Sequence, residues 1–369
     1  MANTERANEY VVRDYEARDA AAVAALYRRI WGKDVSPAWV DHHVATPYLD
    51  GPALVVAAAD GSVVGARPFV PFPVRGGGAD AVGLHLSDLM VHPDHRRNGL
   101  FTRMTERVVD AHADDAAFTL NFGNAKSAPG YRKMGFTEVG AGPERYLRVQ
   151  RPGRFVRERL GPRVGGLAAP LADRAIAGYH RVRALARPAT VDYRVASRDG
   201  LPADLLADLY ERDPPARLHL RREPALYRWL DGHPGWEHET YVARDGDGPS
   251  AALVAQRRAE SDPETRWLFD AVPLPDGNEH TGAFTALLDA AVDAHAGAAV
   301  LIVSGLVYER LLPARVRGRF GFHGTANPLL APVTEDEDTV FVNPLGDDAG
   351  FGFGALDLRD PADWQVAVR

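Results

Sequence analysis

The chain has 369 residues, 46% hydrophobic and 25% charged, with net charge -7 and no cysteine. That length suits two domains rather than one core, and that hydrophobic share excludes a disordered chain. The missing cysteine excludes disulfides, a thiolate nucleophile and zinc–thiolate sites, and the acidic balance disfavours general nucleic-acid binding.

Residues 1–9 are polar, with no signal-peptide core, and no apolar run reaches the length of a membrane span. A cytoplasmic protein is expected. In chain order, residues 10–15 predict a strand. Residues 20–31 predict a helix with Val23, Leu26, Tyr27 and Ile30 on one face, followed by a short helix over 37–44. Residues 54–59 and 63–72 read as strands joined at Asp60-Gly61, a hairpin signal. Gly76-Gly77-Gly78 is a second turn, leading to a strand over 84–91. It is not a phosphate cradle, because no helix follows it.

The stretch from Met90 to Phe101 is the most informative of the chain. It ends the 84–91 strand, carries Arg96, Arg97, Asn98 and Gly99, and opens a helix with Phe101, Met104, Val108 and His112 on one face. Backbone N–H groups at such a turn converge on one spot, and the helix N-terminus adds its positive end. Two arginines beside it would give charge-assisted hydrogen bonds to a pyrophosphate. A second segment follows the strand over 117–122: Asn124, seven residues later Tyr131, then Gly135-Phe136.

Together these segments resemble the two signature motifs of the GCN5-related N-acetyltransferase (GNAT) superfamily. Arg96 and Gly99 match its pyrophosphate loop; Asn124, Tyr131, Gly135 and Phe136 match its second motif. Phe101 stands where the loop usually ends in a small residue, and the run through Leu100 is similar to loops of the enhanced-intracellular-survival branch. The resemblance implies that the two central strands splay apart around the pantetheine arm. It implies backbone pairing of that arm with Met90 and Val91, and phosphate contacts along Arg96, Arg97, Asn98, Gly99, Leu100 and Phe101. Asn124 would hold the splayed strand and arm, and Tyr131 would be the general acid beside the sulfur. The base is open. Asp88, two residues before Met90 and so expected on the same face, leads His85 and Glu138. In the branch just named a C-terminal carboxylate serves, which here would be that of Arg369. Tyr131 packing on Phe136, without a chemical role, is the alternative for that residue.

Residues 151–189 hold nine arginines against Glu158 and Asp173. They are expected to form a basic helical linker whose arginines pair with acidic domain faces; a surface for anionic lipid or an anionic acceptor is the alternative. Gly165-Gly166 and Pro170 argue against one continuous helix. From Val191 the pattern restarts, with helices over 201–211 and 223–230 and strands near Tyr241, Leu253 and Trp267. Gly282-Ala283-Phe284-Thr285 matches Gly99-Leu100-Phe101-Thr102, and Gly321-Phe322 matches Gly135-Phe136, at offsets of 183 and 186 residues. This suggests an internal duplication. Glu279, His280 and Thr281 stand in register with Arg96, Arg97 and Asn98, and Arg317 with Tyr131. A carboxylate repels phosphate, so the second copy reads as degenerate and one site per chain is expected.

His42-His43 lacks a carboxylate at metal spacing, and no metal is expected. Trp229, Trp236 and Trp267 read as aromatic core. The fold class is α/β: two tandem GNAT-like domains, each a mixed, mainly antiparallel sheet flanked by helices. Residues 1–150 form the acyl-CoA-binding domain, 151–189 the linker and 190–369 the degenerate domain. The expected function is acetyl transfer from acetyl-CoA to a primary amine on a small molecule or peptide. A non-catalytic acyl-CoA-binding protein, or an acyl or aminoacyl transferase of envelope or polysaccharide assembly, stands as the alternative.

Overall fold

The computed structural model describes residues 10–142, 145–185, 193–246, 248–258, 262–274, 280–306, 309–325, 338–346 and 350–365. The first half runs β1 (Tyr10–Asp14), α1 (Ala20–Trp31), α2 (Pro37–Val44), β2 (Leu54–Ala59), β3 (Ser62–Gly76), β4 (Ala79–Leu86), β5 (Met90–Val91), α3 (Leu100–Ala111), β6 (Phe118–Gly123), α4 (Ala128–Lys133), β7 (Thr137–Ala141) and β8 (Tyr146–Val149). A helical segment, α5 (Gly153–Leu185), joins the halves. The second half repeats the order: β9 (Arg194–Asp199), α6 (Ala203–Glu211), β10 (His219–Leu220), α7 (Pro224–Asp231), β11 (Trp236–Asp245), β12 (Gly248–Arg258), β13 (Asp262–Val272), α8 (Thr281–Ala294), β14 (Val300–Val303), α9 (Ala314–Arg319), β15 (His323–Gly324) and β16 (Thr339–Pro344). Among the described residues, the short β10 and a two-stranded ribbon of Gly352–Phe353 with Leu356–Asp357 have no counterpart in the first half.

Local chemistry sets these elements. Ser36 caps α2 by accepting from the Trp39 N–H at 3.1 Å, with Pro37 at the first helical position. β2 is buried along its whole length, and α1 buries Val23, Leu26 and Tyr27 against it. Asp60 and Gly61 both take positive φ, as a two-residue hairpin turn requires.

The first sheet has the order β1-β2-β3-β4-β6-β16-β7, and the second β9-β11-β12-β13-β14-β8-β15. Each has a single parallel pair, β4 with β6 and β13 with β14. The chain departs here from the expected boundaries. β8, expected in the first domain, lies between β14 and β15 of the second sheet; β16, from the end of the second half, lies between β6 and β7 of the first. The two halves therefore exchange their last strands. Hydrophobic alternation marks a strand but not its partner, so residue 150 does not separate the sheets. The halves also share a core, in which Phe72, Phe118 and Leu120 pack with Leu218, Leu226, Val340, Val342 and Trp364.

Two further differences matter. The strand expected over 84–91 is broken: pairing with β3 stops at Leu86 and resumes at Met90, with Asp88 at φ 35 between them. The linker does not break at Gly165-Gly166 or Pro170 but at Gly161, whose φ of 73 and ψ of 173 lie outside helical space. There the chain turns back on itself. A Cβ on Gly165 would lie 2.6 Å from Arg157 Cα, and the Gly153 N–H donates to Asp173 at 2.7 Å. α5 is a helical hairpin.

Candidate active site

The site is built where β4 and β6 part. Their parallel pairing ends at His85 and Leu120. Beyond it Asn121, itself buried, reaches across with its Nδ2 to the Leu86 carbonyl at 2.6 Å and leaves its Oδ1 buried and unpartnered. β5 pairs with β3 on one edge through Gly65–Val91 and Ala66–Met90. The gap between the central strands thus holds an orphaned acceptor, and a buried amide oxygen of this kind calls for a donor.

At the outer end of the gap the chain turns through Pro93–His95 into α3. Arg97 and Gly99 both adopt positive φ, and a Cβ at Gly99 would meet nothing within 4 Å. Arg96 and Arg97 are exposed; Arg96 donates through Nε to the Val91 carbonyl at 3.3 Å. Asn98 is a brace, donating to Tyr10 Oη at 3.0 Å and to the His95 carbonyl at 3.1 Å. Two exposed guanidinium groups and the open N-terminus of a twelve-residue helix can hold a pyrophosphate.

Tyr131, on α4, is buried against the inner end of the gap. Its ring packs among Phe101, Phe136 and Phe341, at centroid distances of 5.1, 5.2 and 5.6 Å. Its hydroxyl accepts a hydrogen bond of 2.5 Å from Arg67 Nη2. Tyr131 therefore does pack on Phe136, but it also has a polar partner. Phe101, the bulky residue at the end of the loop, is accommodated by Gly130, where a Cβ would come within 2.8 Å of its ring. Small size has moved from the loop to the facing helix.

Arg67 is a residue that sequence reasoning missed. It is 1% exposed on β3 and has no carboxylate partner among the described residues. Besides the bond to Tyr131, its hydrogen bonding among the described residues is a long contact to the Ser87 carbonyl at 3.5 Å, and its Nε is buried without a partner. A buried cation held only by neutral groups is costly unless an anion or developing negative charge meets it. The signal was legible: Arg67 is the sole charge in the apolar run 63–72. Asn121, in the run 117–122, and Phe341, supplied by β16 of the other half, were missed likewise.

Other expected residues sit differently. Asn124 shapes the turn into α4: its Oδ1 accepts from the Lys126 and Ser127 N–H groups at 3.0 and 3.2 Å. Asp88 does not share the face of Met90, because the bulge breaks the alternation; it lies 3.6 Å from Lys33 Nζ. Near it are His85 and His43, both partly open to solvent yet ringed by protein, whose burial pushes each imidazole down to about 4. Both are neutral at pH 7. Glu138 is taken by Arg132 in a surface pair of 2.7 Å. Arg369 lies outside the described residues. Among the described residues no group of His, Asp and Glu is arranged to hold a metal.

The second half lacks this arrangement. Glu279 lies outside the described residues; next to it His280 opens α8 at φ 52 and lies 3.3 Å from Asp213. A Cβ on Gly282 would meet the Tyr193 ring at 3.0 Å, so an aromatic side chain covers the start of this helix. Arg317 lies over Tyr146 at 3.7 Å. Past the last β13–β14 pair, Leu268 with Val303, comes a buried cluster. There Arg222 donates to Asp270 at 2.8 and 2.9 Å and to Glu309 at 2.7 Å, and Tyr227 donates to Asp270 at 2.7 Å. Trp229 stacks on His42 of the first half, and Trp236 meets Trp267 edge-on, so the three tryptophans share no pocket wall.

Comparison with known proteins fits this geometry. Residues 11–139 match the model of an acetyltransferase (GNAT) domain. A tandem GNAT protein from the clavulanic acid biosynthesis pathway is similar over 92% of this chain and 100% of its own, at 14% identity and a TM-score of 0.56. Saccharomyces cerevisiae N-myristoyltransferase with bound myristoyl-CoA is similar over 98% of this chain and 85% of its own, at 11% identity and a TM-score of 0.58. A probable N-acyltransferase of Enterococcus faecalis V583 covers 91% of this chain and 73% of its own, at 11% identity and a TM-score of 0.56. At these identities the likeness is one of fold. No curated protein matches the chain in sequence. Residues 11–139 thus carry an acetyltransferase (GNAT) domain.

Proposed function

We propose that the protein transfers an acetyl group from acetyl-CoA to a primary amine by direct attack, at a single site in the first half. The observation that carries this reading is the contact between Tyr131 and Arg67 at the inner end of the β4–β6 gap. A hydroxyl that accepts from a guanidinium keeps its own proton for another acceptor. Tyr131 would give that proton to the departing thiolate, and Arg67 would stabilise the oxygen left behind. Acetyl-CoA supplies the thioester. Arg96, Arg97 and the start of α3 would bind its pyrophosphate, and the Asn121 Oδ1 would take an amide N–H of its arm. The acceptor's proton would leave towards Asp88 or solvent at the bulge.

Thiol release across an amine panel tests the proposal. The chain has no cysteine, so a thiol-reactive dye reports free CoA alone. Turnover with at least one primary amine is expected. Tight acetyl-CoA binding without turnover on any amine would replace this reading with a non-catalytic acyl-CoA-binding role. Release only in the presence of aminoacyl-tRNA would point to aminoacyl transfer.

A further inference from the structure

The hairpin α5 carries a surface that the acyltransfer reading does not use. Its second arm turns Gly165, Ala169 and Asp173 towards the first arm. On the outward side stand Val164, Leu167, Leu171, Val182 and Leu185, which are 60, 80, 64, 68 and 85% exposed, and Leu160 joins them at the tip. The spacing keeps them on one stripe. Single exposed apolar residues are ordinary, but a continuous stripe on a projecting hairpin is not. Beside it, a mostly apolar cavity of about 640 Å³ opens between the second arm, at Ala172, Ile176 and Tyr179, and the second sheet, at Leu147 and Val149.

The charges around the stripe say what covers it. Arg157, Arg159, Arg163, Arg174 and Arg181 are all exposed, and none has an ion-pair or hydrogen-bond partner among the described residues. The expected pairing with acidic domain faces is made by Arg154, which reaches Glu158 and Glu264. The two acids of the segment are engaged, Glu158 with Arg154 and Asp173 with the Gly153 N–H. A second copy of the same face would bring five unpaired arginines against five more. An anionic bilayer offers the opposite, an apolar layer for the stripe under a sheet of phosphates for the arginines. No helix of the described residues is long and apolar enough to cross a membrane, so the contact is peripheral.

We propose that the hairpin Gly153–Leu185 docks this protein on anionic membranes. Its leucine and valine stripe enters the acyl boundary, and its unpaired arginines bind lipid phosphates. The proposal does not depend on the acyltransfer reading. Its test is co-sedimentation of the full chain with phosphatidylcholine vesicles, with and without phosphatidylglycerol. The protein should pellet only with the anionic vesicles and be released by salt, which screens headgroup charge. Replacing Leu167 and Leu171 by Asp should cut partitioning roughly tenfold or more, and so should Arg157→Gln with Arg159→Gln and Arg163→Gln. These side chains are exposed, so thermal unfolding and thiol release should stay as in the wild type. The wild-type lipid and salt dependence decides the matter without any variant. Protein left in the supernatant with anionic vesicles at low salt would overturn the proposal. So would equal pelleting with neutral vesicles, or a dimer in light scattering that the Leu167→Asp, Leu171→Asp protein loses.

Discussion

Tyr131 and Arg67 form a pair in which each residue explains the other. The tyrosine ring is held by aromatic packing, so Tyr131→Phe keeps the fold and removes the proton. A fall in kcat of about 10- to 1000-fold, with KM for acetyl-CoA little changed, is expected. Unchanged activity across the pH range would make Tyr131 a packing residue. Arg67→Met should leave the denaturation midpoint near wild type or raise it, since a buried cation without a carboxylate contributes little to stability. Its kcat should fall roughly 10- to 100-fold, with partial recovery in Arg67→Lys. A loss of stability at unchanged kcat would sink the catalytic reading. Arg222 is the contrasting case, a buried arginine with two carboxylates. Arg222→Met would strand Asp270 and Glu309, and chemical denaturation should show a loss of about 3–5 kcal/mol.

At the scale of elements, the strand–loop–helix unit around α3 was largely legible. The helix register, the hairpin at Asp60-Gly61 and the order of elements all follow from residue spacing and turn chemistry. The break at Asp88 was not, because a bulge leaves the apolar pattern on both sides intact and changes only the register between them. Arg67 was visible as the lone charge, and Asn121 as the lone amide, of an apolar run, but their meeting at one gap depends on which strands lie side by side. Asn124 was assigned to the arm on its motif; its side-chain oxygen also holds the turn into α4, a local role that the motif did not announce. The loop itself gives a sharp test. Arg96→Glu with Arg97→Glu should weaken acetyl-CoA binding by roughly 2–4 kcal/mol in calorimetry. Unchanged affinity in the folded double variant would end the assignment of this loop to the pyrophosphate.

For the whole molecule, the duplicated halves make stoichiometry informative. With Tyr193 over the start of α8 and the Arg222 cluster beyond the β13–β14 pairing, titration should give one acetyl-CoA per chain. Two sites would contradict the reading of the second half as degenerate. Acid stability follows from histidines spread over both halves. Burial holds His43, His85, His219 and His233 down to about 4, below the ordinary 6.5. Between those values the unfolded chain binds protons that the native chain refuses, so stability is full above about pH 6.5 and falls as pH drops towards 4. Denaturation midpoints at pH 7 and pH 5 should differ in that direction; equal midpoints would mean that these imidazoles are not held neutral.

The exchanged strands bear on how the protein is made. Residues 1–190 leave the ribosome without β16, so β6 and β7 face an empty slot until residues 339–344 are synthesised. A nascent first half with open edges invites pairing with foreign strands. Expressed alone, residues 1–190 should therefore aggregate, whereas co-expression with residues 191–369 should return soluble material carrying both pieces. Phe341, which β16 delivers against Tyr131, gives this assembly a chemical consequence. The tyrosine pocket closes only when β16 arrives, so a polypeptide truncated before it would lack not a spare domain but one wall of the pocket around Tyr131.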